Sequence, residues 1–178
     1  MKRQENQIKK VISILAIICG VLFILAALLP WINYTISGIS VSGVNISDAE
    51  KHSSNLFQYG IDGRDSVILA GALMVVSGVV FLSYGLFCYL EKHLMDLVFI
   101  AMTASVIGFI GAGLAVTNSD INDEYKAMKI ASDLIIPGVS FGRLFAILAG
   151  ICALAVSTCC ICSLVHSKKE VDKPLIVS

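Results

Sequence analysis

Four uninterrupted apolar stretches govern what this chain can fold into. Residues 11–31, 66–90, 97–117 and 144–165 carry no Lys, Arg, Asp or Glu in their interiors. A helix rises about 1.5 Å per residue, so each stretch is long enough to cross a hydrocarbon core of about 30 Å. A charge at the centre of such a helix costs roughly 2.5 to 3.5 kcal/mol on insertion scales, and none of the four bears that cost. Buried helices of a soluble domain would keep a polar stripe toward water; these keep none. The whole chain is 57% apolar and 15% charged, against roughly 45–50% and 25% for soluble domains. The fold expected is an all-α membrane protein, a four-transmembrane-helix bundle forming one integral membrane domain over residues 1–178.

The charges set an expected orientation. The segment before the first span holds Lys2, Arg3, Lys9 and Lys10 against Glu5, which the positive-inside tendency keeps in the cytoplasm. Four crossings return the tail, residues 167–178, to the same side with Lys168, Lys169 and Lys173. With the short turn between spans two and three, the inner segments carry eight basic and five acidic residues and the outer segments five and eight. The expected location is the plasma membrane, crossed four times with both termini cytoplasmic. The first apolar run is longer than the roughly 7–15 residues of a signal-peptide core and ends in Leu28-Leu29-Pro30-Trp31 with no small-x-small cleavage site, so it reads as a retained helix.

The first outer segment, residues 32–65, alternates Ile32, Tyr34 and Ile36 against Asn33, Thr35 and Ser37, a β-strand period. Gly38 and Gly43 interrupt, and Ile39, Val41, Val44 and Ile46 resume the alternation out of phase. The expectation is two or three short strands forming a small extracellular β-sheet over the mouth of the bundle. A loop or short helix capped by Ser47 or Asp48 should follow, then a turn at Asp62-Gly63. The turn at Glu91, Lys92 and His93, with Asp96 just beyond, makes spans two and three an antiparallel hairpin. In the second outer segment, residues 118–141, Ile121, Tyr125, Met128 and Leu134 recur near helical spacing, with Asp120, Asp123 and Glu124 near the start where the helix dipole favours acids. This reads as an amphipathic helix lying on the membrane surface and ended by Pro137-Gly138, and the tail after Ser167 reads as disordered.

Helices in lipid associate through small residues that allow close approach. Candidate rows are Gly71, Gly78 and Gly85; Ala104, Gly108 and Ala112, with Gly111 and Ala115 beside them; Ala146, Gly150 and Ala153; and Ala16 with Gly20. They serve packing within one chain or a homo-oligomer, formed through Gly71, Gly78 and Gly85 or through Ala104, Gly108 and Ala112.

The residues offer little for chemistry. Coupled transport calls for an ionisable group at mid-membrane depth, and the spans hold none; Asp96 and Arg143 sit at span edges as interfacial anchors. The six cysteines, Cys19, Cys88, Cys152, Cys159, Cys160 and Cys162, all fall in spans, as small packing residues or, for Cys159, Cys160 and Cys162 near an interface, as lipidation candidates. Zinc lacks partners, since His166 is the nearest imidazole and His52 and His93 lie on opposite sides. Asn33 and Asn45 match the glycosylation acceptor pattern, with Asn45 the more accessible. No nucleophile–base pair, Gly-rich loop after a strand or paired carboxylates is found; balanced charge argues against a nucleic-acid partner. The expectation is a non-enzyme with no catalytic, cofactor or metal site.

The order of parts resembles the claudin-like tetraspans: a strand-bearing first outer loop opening at Leu29-Pro30-Trp31, a tight inner turn, a shorter second outer loop and a cytoplasmic tail. The paired cysteines and Gly-Leu-Trp signature of true claudins are missing from residues 32–65. The closer resemblance is to small prokaryotic four-transmembrane-helix proteins of no settled activity, through the Leu-Pro-Trp exit, the strand pair at residues 36–44, Asp62-Gly63 and Pro137-Gly138 with Gly142. It implies the fold and the membrane location. The function expected is an envelope scaffold that meets a protein partner through Ile36, Val41, Val44 and Ile46 of the outer sheet. The alternative is an accessory or pore-forming subunit of a transporter.

Overall fold

The computed structural model describes residues 2–37, 40–41, 44–45, 50–61, 64–90, 98–130 and 135–171. Helix α1 spans Lys2–Leu28. Pro30 sets its end, because a proline has no N–H for the helix and pushes the preceding residue out of the α region. The first span thus stops short of the expected boundary, and Trp31 lies beyond the helix. Three further long helices follow: α3 (Asp65–Leu90), α4 (Val98–Thr117) and α6 (Phe141–Val171), with a short α2 (Leu56–Gly60) before them and α5 (Ser119–Ile130) between α4 and α6. Four helices are long and apolar enough to cross a membrane: α1, α3, α4 and α6. Residues 167–171, expected to be disordered, continue α6 as helix.

The four long helices form a ring, α1 beside α3, α3 beside α4, α4 beside α6 and α6 back to α1. A polar contact bridges every seam. Ser13 Oγ donates to Gly85 O at 2.7 Å, Ser77 Oγ to Ala104 O at 2.7 Å, and Ser105 Oγ meets Ser157 Oγ at 2.8 Å. Between α1 and α6, Cys19 Sγ donates to Ala149 O and Cys152 Sγ to Leu15 O, at 3.6 and 3.4 Å. Such bonds average about 0.6 kcal/mol in membrane proteins, so they fix register more than they supply stability. Packing supplies the rest. Phe23, Met74 and Phe81 are fully buried in the interior, and Phe23 stacks on Phe81 at 6.1 Å between centroids.

The small residues let backbones touch. A Cβ at Gly20 would stand 2.6 Å from Gly78 O, and one at Gly85 would stand 2.9 Å from Ser13 O. Backbone atoms on the facing helix cannot swing aside, so α1 and α3 reach this distance only with glycine there. Gly71 faces Phe57 and Leu56, and Gly108 faces Phe23 and Ser77. Gly20, Gly71, Gly78, Gly85 and Gly108 of the rows identified in the sequence thus pack against other elements of the same chain.

At one end of the bundle lies a sheet ordered β4-β1-β5, where β1 is Ile32–Ile36, β4 is Glu50–Ser54 and β5 is Ile135–Pro137, all antiparallel. The second inter-helix segment thus lends a strand to the first. A separate pair, β2 (Ser40–Val41) and β3 (Val44–Asn45), is bonded to neither edge of that sheet. Residues 50–54 are strand rather than loop, and α2 is capped by Asn55, not by Ser47 or Asp48. The Asn55 side chain accepts from Gln58 N at 2.9 Å, and the Gln58 side chain accepts from Asn55 N at 3.2 Å, a capping box. Helix α5 ends at Ile130, before the expected Pro137. Its apolar residues Ile121 and Met128 are buried within the chain, so this face covers the bundle instead of lying on lipid. Expectations at Gly38, Ile39, Gly43, Ile46, Ser47, Asp48, Asp62, Gly63, Glu91, Lys92, His93, Asp96, Leu134 and residues 172–178 lie outside the described residues.

Gly78→Ala and Gly85→Ala are expected to lose roughly 1–3 kcal/mol by forcing α1 and α3 apart. Gly113→Ala, where an added methyl meets nothing within 4 Å, should lose nothing. Unfolding of the purified protein in mixed detergent measures the difference.

Candidate interaction head

Strands, α2 and α5 form a head that meets the helices at several places, Trp31 among them. Trp31 is fully buried. Its indole Nε1–H donates to Ala26 O at 2.6 Å, satisfying a carbonyl left open where Pro30 ended α1. Its own carbonyl accepts from Tyr125 Oη of α5 at 2.5 Å and from Ser140 Oγ at 2.8 Å, and its amide donates to Ser54 O of β4 at 2.9 Å. Gly142 sits against the indole, where a Cβ would overlap the Trp31 ring, and Gly142 N donates to Pro30 O at 2.9 Å. α1, β4, α5 and the start of α6 therefore meet at this single side chain and peptide.

Two arginines hold α5 from either side. Arg64 lies 4.1 Å from the Tyr59 ring centroid, with its Nε 3.6 Å from Asp120 Oδ2. Arg143, at the start of α6, lies 4.9 Å from the Tyr125 ring, and its Nη2 donates to Asn122 Oδ1 at 2.8 Å. Arg143 is thus a half-buried clamp on α5 where the sequence reads an interfacial anchor. Cation–π contacts contribute about 0.5–1 kcal/mol at such partly exposed sites. α5 starts where Asn118 Oδ1 accepts from Ile121 N at 3.1 Å, which breaks it from α4.

Glu124 shares the inner side of α5 with Ile121 and Met128. The Tyr59 hydroxyl is buried and makes no hydrogen bond of good geometry, yet Glu124 lies close enough to act on it. Burial first, and then Glu124 as acceptor and as charge, push the Tyr59 phenol well above its ordinary 10.0, while Arg64 pulls it down. Tyr34 is raised by burial and then by Glu124 and Glu50. Its ring stacks on His52 across the β1–β4 register at 5.1 Å, with Glu50 3.7 Å from His52 Nε2. Both phenols favour the protonated form when folded, so their contribution is full below 10.0 and declines as pH rises above it.

The structure places Ile36 half-buried on β1, bonded on both sides, and Val41 opposite Val44 in the separate hairpin. Ile46 lies outside the described residues. Both free edges of the sheet are blunted. β4 carries Glu50 and Lys51; on β5 Gly138 N bonds inward to Asn33 O at 2.7 Å, so the nitrogen of Pro137 turns outward, where proline has no hydrogen to donate. The six cysteines are free thiols. Cys19 and Cys160 are buried, Cys160 against Tyr84 Oη at 3.4 Å, which fits the packing role; Cys162 is exposed. Among the described residues no three His, Cys, Asp or Glu side chains come together to hold a metal ion. Shallow apolar grooves of about 310 and 280 Å³ lie on the flank of α3 and α4, around Val80 and Ile100. Missing from the sequence reading were the Arg64–Tyr59 and Arg143–Tyr125 pairs; an Arg at each helix start was the available signal. No protein-family model, curated protein or solved structure matches the chain.

Trp31 is the only tryptophan, so its fluorescence reports the junction. Gly142→Ala should displace the ring, shifting emission to the red and increasing quenching by acrylamide, with roughly 1–3 kcal/mol lost. Ultraviolet titration should find a phenol that ionises well above 10.0 and that Tyr59→Phe removes; loss of a phenol ionising at the ordinary 10.0 in that variant would contradict the burial of Tyr59.

Proposed function

We propose that this chain is a non-enzymatic, multi-pass protein of the plasma membrane, with both termini cytoplasmic, that holds an ordered extracellular head for contact with a partner protein. The carrying observation is the head's construction. Two separate inter-helix segments complete one sheet, order β4-β1-β5, and anchor it at Trp31. The β2–β3 hairpin pairs with none of its strands. Isolated two-stranded hairpins are marginally stable in water, so a hairpin of two-residue strands gains most of its order from whatever it meets. The sequence places valines at positions 41 and 44 of that pair, while charge on β4 and proline on β5 discourage pairing at the sheet edges. The bundle interior, filled by Phe23, Met74 and Phe81, favours a scaffold over a pore. The claudin-like order of parts and the basic inner segments support the orientation.

The test uses an impermeant amine crosslinker on intact cells, where Lys51 and Lys126 should react and Lys10 should not. Excising residues 40–45 should abolish recovery of the crosslinked partner while leaving insertion intact. Unchanged partners, or reaction at Lys10, would overturn the reading.

A further inference from the structure

Charge is distributed unequally between the two ends of the bundle. At the sheet end the described residues balance, five acidic against five basic. At the other end two helices that are neighbours in the ring run past their apolar lengths. The apolar run of α1 begins at Val11, yet the helix starts at Lys2; that of α6 ends at Val165, yet the helix runs to Val171. They are antiparallel, in contact from Pro30 and Gly142 near the head through Leu15 and Cys152, so the start of α1 and the end of α6 project side by side. These projections carry Lys2, Arg3, Lys9, Lys10, Lys168 and Lys169 against Glu5 and Glu170. Residues 91–97, which join α3 to α4 in the sequence, add one base and two acids, so the sum stays positive.

We infer that this two-helix basic stem is a binding surface for anionic phospholipid headgroups. Four to eight basic residues immediately beside a membrane helix are what an anionic headgroup layer attracts, each contributing roughly fivefold in association. Lysine also suits the boundary, since its stem lies along apolar surface while the ammonium reaches the phosphates; Lys9 is half-buried and Lys10 exposed. Helix supplies what a disordered tail would not: charges from both ends of the sequence are held together, and they gather phosphates without first ordering a segment.

The experiment reconstitutes the full chain in phosphatidylcholine vesicles with spin-labelled phosphatidylglycerol or spin-labelled phosphatidylcholine and measures the ratio of their association at the protein surface. A preference for phosphatidylglycerol of roughly threefold or more is expected. It should fall close to one in 1 M salt, where the Debye length is about 3 Å, and in a Lys2→Gln, Lys10→Gln, Lys168→Gln, Lys169→Gln variant. Lys51→Gln with Lys126→Gln, at the sheet end, should leave it unchanged. Equal association of both lipids with the unaltered chain overturns the inference, and that comparison stands even if the quadruple variant fails to insert. Loss of preference with inorganic phosphate, beyond that with chloride at equal ionic strength, would mark a site for free phosphate and overturn it too. The readout needs no partner protein and no fixed orientation, so it fails or succeeds independently of the proposed head contact.

Discussion

The peptide and indole of Trp31 join the two halves of this protein. Pro30 stops α1 and leaves carbonyls at its end without helical partners, and the indole N–H covers that of Ala26 at 2.6 Å. The carbonyl of Trp31 itself draws hydroxyls from α5 and from the approach to α6. Because these groups are buried, leaving any one unsatisfied would cost about 1–3 kcal/mol, and the cheapest way to satisfy them all is to dock the head on the bundle in one orientation. The glycine at position 142 follows from this, since any side chain there would occupy the space of the indole.

Below that junction the bundle rests on contact. In hydrocarbon there is no hydrophobic force between apolar helices, and association depends on how closely backbones approach. α1 and α3 approach most closely, through Gly20, Gly78 and Gly85. The serines and cysteines on each seam then select the register in which hydroxyls and thiols meet a carbonyl or one another. The outward surfaces of the same helices, with Phe99, Ile110 and Ile151 among the most exposed, are what a hydrocarbon environment requires and what water would penalise.

The head and the stem divide the polar work of the molecule. On the head, Arg64 lies against Tyr59 and Asp120 and Arg143 against Tyr125, so these two charges serve to hold α5 down. The stem keeps its positive excess. A bundle between the hairpin proposed to meet a partner and the base proposed to meet anionic lipid would fix the height and tilt at which that hairpin is displayed, which would give the proposed scaffold a physical purpose for its four helices.

Residues 66–90 and 97–117 could be read as helices to within a residue, because hydropathy over such lengths outweighs any local preference, and the alternation of Ile32, Tyr34 and Ile36 marked β1 for the same reason of periodicity. Ala104, Gly108 and their neighbours were recognisable as contact residues, though not which helix each would touch. The strand at Glu50–Ser54 escaped notice, since polar residues at a sheet edge carry no alternation, and so did β5, a three-residue strand whose pairing lies about a hundred residues away in sequence. Composition alone determined that this chain has four lipid-compatible helices and where its basic residues fall, because transfer energy is a local, additive property. Only the tertiary structure decided that both inter-helix segments share one sheet, that Arg64 and Arg143 grip α5, and that the two basic helix ends stand together, because each depends on residues brought close by the fold rather than by the chain.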